Sequence, residues 1–530
     1  MNAPLRLAHT SRPILYELDT RSWLDGLSRT YGRRIHLGDV PAEALDPILG
    51  TGCDLIWLMG VWQTGPAGRR IARSEPWIEA EARAILPDAG PGDIAGSPYA
   101  IAAYEISASV GGEEGLARFR QQLARAGVGL VLDFVPNHTA LDHPWVHRHP
   151  EWYVSADQTA DDDSDGWFTV RAGGRTYRLA HGRDPHAPAW RDTAQLDYRV
   201  PELRAAMADI LRQIASRCDG VRCDMAMLVL EDVFCATWQG RSTTPAGSDV
   251  PAGEFWWHAS RTVRERYPKF VMIAEAYWGL EYRLQQLGFD YAYDKVLLDR
   301  LRGGPGEEVA AHLRADLEYQ RRSVRFLENH DEPRAAAVFS PARQRSAAVV
   351  AATIPGMLLL HDGQLDGARI RTPVQLTRRP AEPPDGQLRA FYDRLLEAVN
   401  GDAFRRGTPV RLDPRATWEG DPSHAGFIAW LWVGPRRSLR LAVVNLGRAT
   451  GRCFIPLGLP DFAGRTIIFE DLLGDARYER DGQDLLDRGL FLELPPDAYH
   501  LFRIRGHRPA EREDPPGGLP LPRAWERDGA

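Results

Sequence analysis

Short apolar runs punctuate the first three-quarters of the chain. They are ILYEL (14–18), CDLIWLMGV (53–61), GVGLVLDFV (127–135), CDGVRCDMAM (218–227), FVMIAEAY (270–277), FDYAYDKV (289–296), SVRFLEN (323–329) and GMLLLHDG (356–363). Near-continuous runs of this length are what strands buried on both faces of a parallel sheet look like. Between them lie segments with helical spacing, including EEGLARFRQQLARAG (113–127), PELRAAMADILRQIASR (201–217) and QRSAAVVAATI (344–354). Strand alternating with helix predicts parallel strands joined by crossover helices, and eight strands predict a closed (β/α)8 barrel rather than an open sheet.

The third and fourth runs are separated by residues 139–195, which are rich in His, Pro, Asp and Trp and have little helical periodicity. A structureless loop of that length is rare inside a domain, so the stretch reads as an inserted subdomain. It divides the barrel into 1–138 and 196–404. Past residue 404 the texture changes to alternating segments such as GFIAWLWV, LRLAVVNL and GRTIIFEDLL, broken by Gly, Pro and Asp. Period-two alternation with turn residues predicts an antiparallel β-sandwich over 405–506. The remainder, 507–530, is charged and rich in Pro and Gly and reads as a disordered tail.

Composition narrows the function. Hydrophobic residues make up 44% and charged residues 26% of the 530, with a formal net charge of −7. That is a globular profile, and it gives no basic surface for nucleic acid. No run of 18 apolar residues occurs, so no membrane span is expected. The opening residues lack the apolar core of a secretory leader. Five cysteines at 53, 218, 223, 235 and 453 have neither CxxC spacing nor an even count. A disulfide framework and a zinc site are therefore not expected, and a cytoplasmic setting is. The sixteen tryptophans suit sugar rings, although packing accounts for most of them.

Candidate chemistry gathers at the ends of the predicted strands. In CDGVRCDMAM, Arg222 and Asp224 are two apart, so on a strand both side chains share one face. Ions are rarely turned inward unless paired or used. Asp133, Glu275 and Asp331 stand at the C-terminal ends of three other runs. In a (β/α)8 barrel that rim carries the active site. One acid there reads as a helix cap. Four, accompanied by His138, Arg222 and His330, are a cluster whose self-repulsion needs a function.

The stretches DFVPNH, GVRCDMA, AEAYW and ENHDEP, in that order, resemble the four short regions of the α-amylase superfamily, family 13 of the glycoside hydrolases. TAQLDYR (193–199) resembles its extra region near the end of the inserted domain. The resemblance implies a retaining enzyme for α-glucans or small α-glucosides. Asp224 would be the nucleophile, held ionised and oriented by Arg222. Glu275 would be the general acid and then base, with a raised pKa. Acid and nucleophile about 5–5.5 Å apart give double displacement with retention. Asp331 would hold sugar hydroxyls and favour the transition state, with His138 and His330 donating to the same ring. Asp133 would be structural, pairing with Arg222. Tyr99 in GSPYAIAAYE is either an aromatic platform for the sugar or a packed loop tyrosine. Arg371 in RTPVQL either clamps a sugar hydroxyl or is a surface arginine.

The departures are informative too. The α-amylases continue the strand-four region with a Lys-His pair that binds substrate and helps hold calcium, where this chain has Met227 and Leu228. No cofactor requirement is implied and dependence on calcium is not expected, although Asn137 matches one calcium ligand. The Asp-rich run DDDSD (161–165) is either a replacement site or a solvated loop, as most Asp-rich runs are. DHPWVHRHPEWY (142–153) resembles the insert of maltosyltransferases and trehalose-handling enzymes, so transfer or isomerisation stays open beside hydrolysis. A non-catalytic carbohydrate-binding homologue would have lost part of the acid set, which is complete here.

Overall fold

The computed structural model of the protein describes residue 7 and residues 10–156, 166–239 and 253–507. The run 161–165 and the segment from 508 onward lie outside the described residues.

The eight apolar runs form eight strands: β1 Ile14–Asp19, β2 Leu55–Met59, β3 Gly129–Phe134, β4 Gly220–Cys223, β5 Val271–Ala274, β6 Tyr291–Tyr293, β7 Ser323–Arg325 and β8 Met357–His361. They close into a barrel in sequential order, with β1 paired in parallel to both β2 and β8. All residues of β2, β3, β4, β5 and β8 are buried, which explains why these strands read as continuous apolar runs instead of alternating ones. The predicted helices stand at Gly112–Arg125, Pro201–Arg217 and Pro341–Thr353.

Two excursions rise from the C-terminal rim. Between β3 and Pro201 the chain builds a strand pair, His138–Ala140 with Thr193–Gln195, and a three-stranded sheet of Ser155–Ala156, Arg175–Ala180 and Trp167–Ala172. The other excursion, between β2 and Gly112, was not apparent from the sequence. It contains the pair Trp62–Thr64 and Ile101–Ile106 and two consecutive helices, Pro66–Ser74 and Pro76–Ile85, each begun by a proline. Among the described residues, no helix is long and apolar enough to cross a membrane.

Beyond the barrel, β9 Thr408–Leu412, β10 Phe427–Val433, β11 Leu439–Asn445, β12 Gly451–Ile455, β13 Thr466–Asp471, β14 Arg477–Asp481, β15 Leu490–Leu494 and β16 Tyr499–His507 form two antiparallel sheets. The larger runs β9-β10-β11-β16-β13-β14, and the smaller pairs β12 with β15. Alternation in β10 decides the layering. Phe427, Ala429 and Leu431 join Cys453, Ile455 and Leu492 in the core between the sheets. Ile428, Trp430 and Trp432 point the other way and join the barrel core. The Trp432 indole N–H reaches the Thr353 carbonyl at 2.6 Å, tying the sheet to a barrel helix.

Candidate active site

Strand geometry sets the acids. Asp224 follows β4 and Glu275 follows β5, each at the first position beyond its strand, and the ladder continues through them. The Asp224 N–H donates to the Phe134 carbonyl at 2.8 Å and the Glu275 N–H to the Cys223 carbonyl at 3.0 Å. Asp331 lies in the loop after β7, where its N–H and that of Glu332 both donate to the Asn329 side chain. Asp224, Glu275 and Asp331 line one cavity of about 800 Å³, together with His138 and Tyr99.

Arg222 organises the floor. Its side chain is wholly buried. One terminal nitrogen meets Asp224 Oδ1 at 2.7 Å, the other meets Glu275 Oε2 at 2.9 Å, and Asp331 lies 3.9 Å away. Its guanidinium is packed against the rings of Trp57, Tyr99 and Tyr293, 5.2–5.8 Å from their centroids. A planar cation with two forked faces suits this double contact, which a lysine could not make.

The expected pairing of Asp133 with Arg222 does not form. The two residues are register partners on β3 and β4, so neighbouring placement is correct. The Asp133 oxygens, however, accept from the Trp57 indole at 3.1 Å and the Gly60 N–H at 3.0 Å. Arg222 instead extends upward to the rim acids. Asp133 ties β3 to β2 below the site. Burial raises its carboxyl to about 6, against the lowering effect of Arg222.

Glu275 has three donors. Beside Arg222, the Met225 N–H reaches Oε2 at 2.6 Å and the Tyr277 hydroxyl reaches Oε1 at 2.9 Å. Met225, whose N–H makes this bond, takes a left-handed conformation, φ 41°. Burial nevertheless pushes the Glu275 carboxyl up to about 7; Arg222 opposes the rise, while Asp224 and Asp331 add to it. Asp331 goes the other way. Its side chain is 45% exposed to the cavity; partial desolvation there favours the neutral form, but His330 and then Arg222 outweigh it and hold the carboxyl at about 2. Two acids in one cavity thus differ in proton affinity, the arrangement that separates an acid from a permanent carboxylate.

His330 contacts Tyr99, whose hydroxyl is 2.8 Å from Nε2 and whose ring stacks on the imidazole. His138 is buried against Trp190, and burial lowers its pKa. Arg371 stands at the exposed rim, 3.4 Å from the Asp331 carbonyl oxygen. Sequence reasoning missed Glu17, wholly buried on β1, with Oε1 2.5 Å from His330 Nδ1. A single acid inside ILYEL (14–18) was its only signal. Tyr277, Trp278 and His186, on the side of the cavity near Glu275, were missed as well; Trp278 is left-handed at φ 65°, with its ring edge against His186.

Asn137 does not suit a calcium ligand. Its amide is engaged reciprocally with Gln195: Oδ1 accepts from Nε2 at 2.9 Å, and Nδ2 donates to Oε1 at 3.1 Å. Met227 and Leu228 are buried and apolar. A hard cation takes six or more oxygens. Among the described residues, no group of three or more His, Cys, Asp or Glu is arranged to hold a metal. The residues present do not fit the family's calcium site.

Residues 42–370 match the family described as alpha amylase, catalytic domain. The chain is 30% identical over 469 residues to an alpha-1,4-glucan:maltose-1-phosphate maltosyltransferase of Rhodospirillum rubrum, covering 83% of this chain and 59% of that protein. It is 25% identical over 276 residues to alpha-amylase MalA of Haloarcula japonica, covering 51% and 36%. The chain therefore spans between about a third and three-fifths of the length of these curated relatives. Among solved structures, a noncanonic maltogenic alpha-amylase, AmyB of Thermotoga neapolitana, superposes with a TM-score of 0.65 at 21% identity, over 93% of this chain and 98% of that one.

Proposed function

The chain belongs to the α-amylase family, and from that premise we propose that it is a retaining α-glucoside hydrolase or transglycosylase acting on α-glucan-derived oligosaccharides. The observation that carries the reading is the sharing of one buried guanidinium by Asp224 and Glu275, beside a third acid in the same cavity.

In the first step an Asp224 carboxylate oxygen attacks the anomeric carbon, while protonated Glu275 gives its proton to the departing glycosidic oxygen. The product is a covalent glucosyl ester on Asp224 and a released sugar. In the second step ionised Glu275 takes a proton from water or from a sugar hydroxyl, whose oxygen displaces Asp224 and restores the α configuration. Asp331, kept charged beside His330, accepts hydrogen bonds from ring hydroxyls and stabilises the positive charge that develops at the ring. His138 donates to the same sugar, while His330 turns its two ring nitrogens to Glu17 and Asp331 and acts on the sugar through Asp331. Tyr99 supplies a wall beside it, and Arg371 a rim contact on the side of Asp331.

Transfer is the second reading, a maltosyltransferase or trehalose synthase-like activity. The relative named as a maltosyltransferase aligns over 83% of this chain, which favours it. We further propose that the enzyme works without calcium, given the engaged Asn137 amide, and in the cytoplasm, in keeping with an odd cysteine count without CxxC spacing. We take 139–195 as an inserted unit and 405–506 as a separate C-terminal one. The test is incubation of the purified protein with maltooligosaccharides, trehalose, sucrose, isomaltose and maltose 1-phosphate, with products followed by NMR. The reading requires α-anomeric first product from at least one of them. Initial β-anomer, or no turnover of any α-glucoside, overturns it.

A further inference from the structure

His330 places each ring nitrogen on a carboxylate. Nδ1 is 2.5 Å from Glu17 Oε1 and Nε2 is 2.9 Å from Asp331 Oδ2. A neutral imidazole has a single N–H, so one of these contacts would set a bare ring nitrogen against an anionic oxygen, lone pair to lone pair. The Asp331 contact is an ion pair, and Nε2 also has the Tyr99 hydroxyl at 2.8 Å; both carboxylate contacts are attractive only when the ring carries both protons, with Tyr99 then offering Nε2 its oxygen rather than its proton. Nothing in the reaction above requires Glu17, yet it is wholly buried on β1, where an unpaired carboxylate is costly.

We propose that Glu17 is a positioning residue that keeps His330 as an imidazolium and, through it, fixes Asp331 as an ionised carboxylate turned into the substrate cavity. The proposal deepens the function given above and rests on it for the role of Asp331.

The groups facing His330 come from every neighbouring element. Glu17 approaches from β1, Trp57 presents its ring at 5.5 Å from β2, and Asp133 lies below on β3. Tyr99 stacks from the excursion after β2, with Arg222 of β4 against the Tyr99 ring. Asp331 is the adjacent residue. Burial disfavours the charged ring, but Asp331 and Glu17 outweigh it and hold the imidazole well above its ordinary range. The consequence reaches the acid, because an ionised Asp331 raises Glu275 and so helps it keep its proton. Glu17, His330 and Asp331 form a series of alternating charge that ends beside neutral Glu275 and the proton to be transferred. Glu17 touches no substrate in this arrangement and acts through His330 alone.

The experiment labels histidine Cε1 with ¹³C and follows the ring signals against pH, with His330 assigned by the signal lost in His330→Asn. In the wild-type protein, the His330 signal should stay in its charged position well above the ordinary histidine midpoint of about 6.5. In Glu17→Gln it should lose its charge at clearly lower pH than in the wild type. The kcat of Glu17→Gln should fall about 10- to 100-fold, the size of one lost charge-assisted hydrogen bond, with KM changed far less. The double variant Glu17→Gln/His330→Asn should be no slower than His330→Asn alone, since Glu17 has then lost the group it acts through. A wild-type His330 that titrates near 6.5, or effects of the two substitutions that multiply, overturns the proposal. If Glu17→Gln does not fold, the wild-type titration and the Glu17→Asp variant, which keeps the charge and should keep His330 charged, still decide it. The ring titration needs no turnover. A permanently charged His330 in a protein inactive on all α-glucosides would refute the proposed function and leave the charge assignment standing.

Discussion

Replacing Tyr277 by Phe removes one hydroxyl from the three donors around Glu275 and leaves the ring in place. That hydroxyl reaches Oε1 at 2.9 Å, while Oε2 keeps the Met225 N–H and Arg222. A hydrogen bond to a charged group contributes about 1.5–3 kcal/mol, and about 1.4 kcal/mol corresponds to one pH unit in a titration midpoint. Tyr277 borders the open cavity, so water replaces part of the loss and the lower end applies. Glu275 must hold a proton to act as the acid. Activity is therefore present below its midpoint of about 7 and lost as the pH rises through it. A donor to the ionised form lowers that midpoint, so removing it raises the midpoint by about one pH unit. The assay is kcat/KM against pH on maltotetraose, whose leaving group needs protonation. Wild type and Tyr277→Phe should share the acidic side of the profile and differ on the basic side by about one pH unit. A basic limb that stays in place, or moves down, refutes the reasoning about Glu275.

Other outcomes follow from the same geometry. Asp224→Asn should lower turnover by orders of magnitude while thermal unfolding stays cooperative; near wild-type rates would remove the nucleophile assignment. Trp432→Ala should cost about 3–5 kcal/mol in denaturant unfolding, because it empties a fully buried site between the sheet and the barrel. Unchanged stability would mean that the sheet is not held by this contact. A chelator should leave the melting temperature unchanged, and a calcium-reversible drop would contradict the reading of Asn137.

The barrel was legible because strands buried on both faces announce themselves as apolar runs, and all eight did so. Rim acids were legible for the same reason, being the polar residues at the ends of those runs. The excursion between β2 and Gly112 was hidden: its first strand, Trp62–Thr64, is three residues long and carries no periodic signal. Adjacent registers placed Asp133 beside Arg222 correctly, but competition from the Trp57 indole and the Gly60 N–H is a three-dimensional fact. The Asn137–Gln195 amide pair joins residues 58 apart, so nothing local in DFVPNH reveals it. Glu17 lay inside a strand that is otherwise apolar or aromatic up to the half-buried Asp19 at its end. A lone buried acid there is a polar group seeking a partner, and His330 is more than three hundred residues away in the chain.

The central claim is that Asp224 forms the covalent bond to the sugar. It is tested most directly by trapping that bond. The Glu275→Gln variant, given α-maltosyl fluoride, needs no acid for the departing fluoride but lacks the base for the second step, so the ester should accumulate. Digestion and peptide mass spectrometry should then find one glycosyl group per protein, placed on Asp224 within DGVRCDMAM. A glycosyl group on any other residue, or release of inverted product with no adduct at all, would contradict the account.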